Sequence, residues 1–248
     1  MAFFKRKKKN ETKLGELPLH IAIIPDGNRR WARGRNLPVK EGHRKGAECF
    51  KNVVKECGEI GIKYVTFYAF STENWKRDKE EVDTLMNMLI SFLRNFEKEL
   101  GSDRNKIRIR VLGNRKGLSK ELIEEIERVE KATETNTGIT VNIAINYGSR
   151  DELTEGIRNI ARSVSEGSIN IEDIDENSVS EALFTAGTPD PDLLIRTSGE
   201  LRISNFLLWQ LAYTEFYFAD VLWPDFDKEE LMKALSAFGK RKRRFGAS

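Results

Sequence analysis

"LHIAIIPDGNRRWARGR", residues 19–35, joins a six-residue apolar run to one carboxylate, Asp26, and then to Arg29, Arg30, Arg33 and Arg35. The run 19–24 has the length and character of a buried strand. One acid cannot neutralise four guanidinium groups, so the turn calls for a further anion. Gly27 lets the backbone approach a ligand closely, and the turn leads toward a helix whose first N–H groups favour phosphate. A diphosphate bridged to Asp26 by Mg²⁺ meets both demands, because that ion prefers hard oxygen ligands. A plain ion-pair knot among these side chains is the duller alternative.

Outward from this stretch, strand-like runs at 63–70, 106–112, 139–147 and 192–197 alternate with helical ones. Helices are expected at 42–60, 80–100, 119–132 and 227–238, and another opens at "SRDELTEG", where Ser149 can cap and Glu152 completes a capping box. The rhythm predicts a single α/β domain with a mainly parallel sheet of about six strands and helices on both faces. Ligands of such sheets bind beyond the carboxyl ends of the strands. Asp26, residues 71–77 and residues 196–204 each follow a strand, so three loops are expected to converge. In the helix from 80, Val82, Leu85, Met86, Met88, Leu89, Ile90, Phe92, Leu93, Phe96 and Leu100 cover an arc of about 200°, twice the usual stripe. Such an arc suits a helix packed between two layers, or one whose extra face lines an apolar cavity.

The 248 residues are 39% hydrophobic and 33% charged, an ordinary globular composition. No apolar run approaches the roughly 20 residues of a membrane-spanning helix, and the start "MAFFKRKKKN" has no apolar signal core. Cys49 and Cys57 lie about 12 Å apart along their helix, too far for a disulfide, and the two histidines offer no zinc pattern. A reducing cytoplasm fits. The net charge of +3 conceals basic runs at 5–9 and 240–244 around an acidic body. Basic ends on an acidic body argue against a nucleic-acid-binding face and read most simply as solvated tails, so residues 1–17 are expected to form a disordered basic arm before a domain at 18–248. Neither G-x-G-x-x-G nor a P-loop is present, which removes nicotinamide enzymes and P-loop NTPases.

Three long motifs, "DGNRRWA" (26–32), "YAFSTENWKR" (68–77) and "LLIRTSGELRISNFLLWQLAYTEFYFADVLWPDF" (193–226), resemble the cis-prenyltransferases, the isoprenyl diphosphate synthases of the undecaprenyl type. The likeness runs from about residue 18 to the closing "RRFG" (243–246). It implies a Mg²⁺-dependent enzyme that condenses an allylic diphosphate, such as farnesyl diphosphate, with successive isopentenyl diphosphates into a long Z-polyprenyl diphosphate. Undecaprenyl diphosphate for cell-wall carrier lipid is the expected product; a shorter chain, or a non-catalytic subunit of this fold, are the alternatives. The same resemblance makes the wide-arc helix the wall of an apolar tunnel. It makes the aromatic-rich segment 205–226 a homodimer interface, across which "RRFG" reaches a diphosphate. It implies an enzyme of the cytoplasm, and the paired Phe beside "KRKKK" suggest peripheral contact with anionic membrane.

Carried onto matching positions, Asp26 would engage Mg²⁺ and assist departure of the allylic diphosphate. Gly27, Asn28, Arg29, Arg30 and His43 would hold that diphosphate, with Trp31 in the same substrate-binding turn. Asn74 would help remove the proton from isopentenyl diphosphate, with Ser71, Thr72, Glu73, Trp75 and Arg77 in its substrate-binding loop. Arg196, Arg202, Ile203 and Ser204 would grip isopentenyl diphosphate, and Glu215 would be a second Mg²⁺ carboxylate. Each has a duller alternative: Arg77 could pair with Glu80 or Glu81, and Glu215 with an arginine. The chain also departs from the usual bacterial pattern, with Pro25 and Arg29 in place of Met and Gly. Val39 stands where an arginine is usual, leaving Arg35 or Lys40 to take its place.

Overall fold

The computed structural model describes residues 16–96 and 106–241. The opening apolar run becomes β1 (His20–Ile24), in which Ile21 and Ile23 face one layer and Ala22 and Ile24 the other. Being covered on both faces is why the strand reads as unbroken apolar sequence. With β2 (Tyr64–Ser71), β3 (Ile107–Leu112), β4 (Ile139–Tyr147), β5 (Leu193–Arg196) and β6 (Glu215–Phe218) it forms a six-stranded sheet of order β3-β4-β2-β1-β5-β6. Every neighbouring pair is parallel, as the alternation of strands and helices predicts. The sixth strand is the one the pattern does not mark. It lies at the sheet edge inside the aromatic stretch, and none of its four residues is fully buried.

The helices are α1 (Asn28–Arg33), α2 (Val39–Ile60), α3 (Lys79–Arg94), α4 (Lys120–Thr133), α5 (Ser149–Ser165), α6 (Glu176–Glu181) and α7 (Lys228–Gly239). On one face of the sheet, α2, α3, α4 and α7 bury Val53, Val54, Leu93, Ile126 and Leu235 against Ile21, Val65 and Val141. Tyr68, Tyr147, Phe206, Leu207 and Leu211 make a second core on the other face. Each such side chain contributes about 1.5–3 kcal/mol by leaving water. Cys49 and Cys57 are both buried free thiols on α2. Residues 97–100, expected to end the long helix, lie outside the described residues, as do "KRKKK" and "RRFG".

The capping box expected at Ser149 is not there. Gly148 is the N-cap of α5 and no side chain caps it. The Ser149 hydroxyl instead accepts from the Leu208 backbone N–H at 2.9 Å. Glu152 accepts from the Tyr147 hydroxyl at 2.5 Å, the Phe184 N–H at 3.0 Å and Gln210 Nε2 at 3.2 Å. Both side chains are buried, and buried polar groups serve whichever donors are sealed in with them. They tie the segment after β5 to α5 and β4.

His20 shows the same rule with a pH consequence. It is buried, with Nε2 2.7 Å from Thr66 Oγ1 and Nδ1 2.6 Å from the Pro189 carbonyl, and burial lowers its pKa from the usual 6.5 to about 4. Between those values the unfolded chain binds a proton that the folded one refuses, so stability is full above pH 6.5 and falls as pH drops toward 4. The loss should approach about 3 kcal/mol. Urea midpoints measured between pH 7 and 4 should fall less steeply in His20→Gln; identical slopes would show that His20 is not the group responsible.

Candidate active site

The sheet order places the site. The chain goes from β1 to β2 on one side and later sets β5 on the other, so β1 lies at the switch point where crevices open beyond the strand ends. Asp26 follows β1, Ser71 ends β2 and Arg196 ends β5, so the three expected loops do meet.

Asp26 is held by its backbone and its side chain separately. Its carbonyl accepts from Thr197 Oγ1 at 2.6 Å, Ser198 Oγ at 2.7 Å and the Trp223 N–H at 2.9 Å. Its carboxylate meets Arg196 Nη2 at 2.9 Å and Arg30 Nη2 at 3.3 Å. Arg196 is buried and also donates to the Arg202 carbonyl at 2.5 Å and to Ser204 Oγ at 2.8 Å. Glu200 pairs with Arg30 at 2.9 Å and with Arg202. Gly27 is needed for close approach: it has φ +116°, and a Cβ there would stand 2.4 Å from Ser198 Oγ.

Glu81, on the first turn of α3, gathers a second group: Arg77 at 2.9 Å, His43 Nε2 at 3.4 Å and Arg29 at 3.6 Å. Burial pushes the His43 pKa below its usual 6.5 despite that acid. The pairing of Arg77 with Glu81 is the plain alternative for that arginine, yet the cluster faces the same cavity. Four buried polar atoms here lack any hydrogen-bond partner: Asn28 Oδ1, Arg29 Nε, His43 Nε2 and Arg196 Nε. Arg29 Nε and His43 Nε2 have only the longer ion-pair contacts with Glu81, Asn28 Oδ1 is an acceptor, and the Arg196 Nε–H is a donor with no partner, which suits an anionic ligand.

These residues form the mouth of a cavity of about 950 Å³. Its far wall is apolar: Phe50 of α2, Phe67 of β2, and Leu85, Met88, Leu89 and Phe92 of α3. Val82, Ile90 and Leu93 of the same helix are buried in the core. The wide arc thus divides into a packing face and a cavity face, and the tunnel lies between sheet and helices.

Of the expected site residues, Asp26, Gly27, Asn28, Arg29, Arg30, His43, Ser71, Glu73, Asn74, Arg77, Arg196, Arg202 and Ser204 line this cavity. Trp31, Thr72, Trp75, Ile203 and Glu215 do not. The Trp31 indole donates to Asp225 Oδ1 at 2.7 Å, and its ring lies beneath Arg35. Glu215 starts β6 opposite Leu193, three residues, or about 10 Å, back from the level of Arg196. It binds Arg241 at 2.7 Å, so this chain does not bring it to Asp26. Arg35 is engaged by Asp225 at 3.0 Å, and neither it nor Lys40 reaches the cavity; Arg33 does. Glu81, Glu200, Thr197 and Ser198 are participants that the sequence reading passes over. Glu81 was visible only as a surface partner for Arg77, and a hydroxyl bound to a backbone carbonyl leaves no pattern.

Among the described residues no three of His, Cys, Asp and Glu come together as a metal cage. The donor set still fits Mg²⁺, which is usually held by one or two carboxylates plus substrate phosphates. Asp26 would supply one such carboxylate, about 30% exposed, facing the cavity beside Arg30 and the unpaired Nε–H of Arg196, donors suited to a diphosphate.

Comparison with known proteins agrees with this architecture. Residues 24–246 match the family model described as putative undecaprenyl diphosphate synthase. The chain is 46% identical over 242 residues to an isoprenyl transferase of Clostridium tetani, covering 98% of this chain and 94% of that protein. It is 48% identical over 241 residues to that of Bacillus subtilis, covering 97% and 92%. Among solved structures, lavandulyl diphosphate synthase from Lavandula x intermedia in complex with dimethylallyl diphosphate superposes with TM-score 0.89 at 40% identity, over 93% of this chain and 98% of that one. A parallel sheet of this order, an acid among arginines at its switch point and near-complete relatedness to isoprenyl transferases lead to one conclusion: the chain is a prenyl-transferring enzyme belonging to the undecaprenyl diphosphate synthase family, the cis-prenyltransferases.

Proposed function

We propose that this enzyme is a Mg²⁺-dependent, long-chain cis-prenyltransferase. It extends farnesyl diphosphate with successive isopentenyl diphosphates to undecaprenyl diphosphate, a carrier lipid for cell-wall synthesis. The observation that carries this reading is one continuous cavity with guanidinium groups at its mouth and only apolar side chains at its far wall. Its 950 Å³ stand near the top of the roughly 300–1,000 Å³ range of small-molecule pockets, which favours a long hydrocarbon.

In each cycle the allylic C–O bond breaks, pyrophosphate leaves, a C–C bond forms to isopentenyl diphosphate and one proton departs. Asn28, Arg29 and Arg30 hold the allylic diphosphate, while Arg196, Arg202 and Ser204 hold isopentenyl diphosphate. Asp26 would hold Mg²⁺, which when bound neutralises charge gathering on the departing group. Asn74 Oδ1 is occupied by the Ser71 N–H at 3.1 Å, and an amide is a poor base. Asn74 therefore orients, and a diphosphate oxygen or water takes the proton.

Incubating the purified protein with farnesyl diphosphate, labelled isopentenyl diphosphate and Mg²⁺, then sizing the products, tests the proposal directly. Products near eleven isoprene units support it. A single condensation would favour the short-chain reading suggested by the lavandulyl diphosphate synthase neighbour, and no condensation would overturn both. The far end is also testable. Phe92 lies eleven residues beyond Glu81, about 16 Å along α3, and packs edge-on against Phe50. Phe92→Ala should lengthen the products by one or more units; an unchanged distribution would show that the stop lies elsewhere.

A homodimer is part of the proposal. It is supported by the edge strand β6 and by the exposed side chains of Leu201, Leu208 and Tyr213 nearby in sequence; sedimentation as a monomer at micromolar concentration would remove it. No helix among the described residues is long and apolar enough to cross a membrane. The proposal puts the enzyme in the cytoplasm, with the "KRKKK" run contacting anionic membrane at about 1 kcal/mol per charge. Deleting residues 1–10 should weaken co-sedimentation with anionic vesicles.

A further inference from the structure

Trp75 sits in the loop that carries Asn74, but its own side chain does not line the cavity. What it does instead is visible in its contacts. Its indole N–H donates to Asn146 Oδ1 at 2.7 Å, and its ring meets Phe70 edge-on at 5.0 Å. Asn146, near the end of β4, is 7% exposed and has every polar side-chain atom engaged. Its Nδ2 donates to the carbonyls of Asn114, at 2.8 Å, and Lys116, at 3.0 Å, fixing it to the turn after β3. Its backbone carbonyl accepts from the Asn114 N–H at 3.2 Å.

The backbone at Asn146 is left-handed, with φ 49°. Asparagine tolerates that conformation better than other side-chain-bearing residues. It lies where the β2–β4 register shifts, between Phe70 and Ser71, which is where the chain leaves the sheet toward the site. Other polar tethers of the 71–77 segment lie on either side of Trp75: Glu73 accepts from Asn205 Nδ2 at 3.0 Å, and Arg77 pairs with Glu81. Asn74 has its Oδ1 committed to capping its own turn, so its place in the cavity depends on how the turn as a whole is pinned.

We propose that Asn146 is a positioning residue for prenyl transfer: by taking the Trp75 indole N–H it fixes the 71–77 segment so that Ser71 and Asn74 face the cavity. Trp75 is the tether through which it acts. This deepens the proposed function and rests on it, because the segment matters only if chemistry occurs at the mouth. The expected cost of losing the tether is about 10- to 100-fold in kcat, the scale on which a misplacement of about 1 Å acts. The KM for the allylic diphosphate, whose binding groups follow β1, should change little.

The test uses Asn146→Gly, which keeps left-handed backbone freedom while removing the amide, together with Asn146→Ala. Two quantities are read in the full-length protein: hydrogen exchange of the ¹⁵N-labelled Trp75 indole N–H without substrate, and kcat and KM for condensation. The proposal expects at least about tenfold faster indole exchange and the stated fall in kcat, with the thermal midpoint of the glycine variant within a few degrees of wild type. Unchanged exchange overturns the tether. Faster exchange with unaltered kcat overturns its catalytic purpose, and a fall in kcat that merely tracks lost stability assigns Asn146 to the scaffold. If wild-type protein formed no prenyl product, the function reading would fall while the exchange result still reported on the tether.

Discussion

Replacing Asp26 with alanine should lower kcat about a thousandfold or more while the thermal midpoint stays within a few degrees of wild type. The two halves of that result come from two sets of contacts. The backbone carbonyl of Asp26 is bound by Thr197, Ser198 and Trp223, and none of those bonds involves its side chain. The carboxylate alone faces Arg196 and Arg30, and Arg196 keeps the Arg202 carbonyl and Ser204 after its removal. Losing one preorganised charge costs about 10²–10³ in rate, and if Asp26 holds Mg²⁺ as proposed, loss of that ligand adds to it. Pyrophosphate release under saturating substrate, with a circular-dichroism melt as control, measures both halves. Because the interaction belongs to the transition state, kcat and kcat/KM should fall together. Asp26→Asn, which keeps the shape but not the charge, should behave similarly. Wild-type turnover in either variant would remove Asp26 from the chemistry.

The second large effect is steric. Helix α1 crosses α2 so closely that a Cβ on Gly42 would stand 2.1 Å from the Asn28 carbonyl oxygen and 3.2 Å from Ala32 Cβ. Backbone cannot yield as a side chain can, so Gly42→Ala must push α1 away from α2. The cost is expected at about 3 kcal/mol, which for a chain of this size lowers the melting midpoint by about 6–12 °C. Asn28, Arg29 and Arg30 ride on α1, so turnover measured well below the melt should fall as well. Gly58→Ala in the same helix is the control. A Cβ there meets only Ile139 Cγ2 at 3.7 Å, and helical Gly→Ala is neutral or stabilising by up to about 1 kcal/mol. Equal melts for the two variants would show that the α1–α2 contact is not tight.

The first five strands were legible because each is apolar in a way that its burial demands. Residues 20–24 and nearly all of 139–147 are covered on both faces, and 106–112 alternates because its edge position exposes Arg108. Strand β6 was not legible: "EFYF" lies among aromatics that would read the same in a loop, a core or an interface. The Ser149 and Glu152 pair misled for a definite reason. Their spacing is that of a cap, but whether a side chain caps or serves a buried partner depends on what covers it, here Tyr147 and the 205–211 segment. In the site, the residue types named the chemistry and the strand ends named the place. Of the acids shared among arginines only the i,i+4 pair of Arg77 with Glu81 could be read; Glu81 reaches His43 and Arg29, and Glu200 reaches Arg30, across the fold, where no spacing encodes the contact. Nor could Trp31 and Trp75 be assigned, since an indole in a binding motif can face a ligand or a neighbour.

The mouth of the cavity is partly self-neutralised before any ligand arrives: Arg29, Arg30, Arg77, Arg196 and Arg202 each already touch an acid, but they share three, Asp26, Glu81 and Glu200. Inorganic phosphate or a nucleotide therefore meets arginines that are already engaged and would have to break existing pairs to enter. A molecule that brings its own cation and a greasy tail has compensation for that disruption. On the proposed function, the arginines that hold the substrate would thus also disfavour competing anions that bring neither.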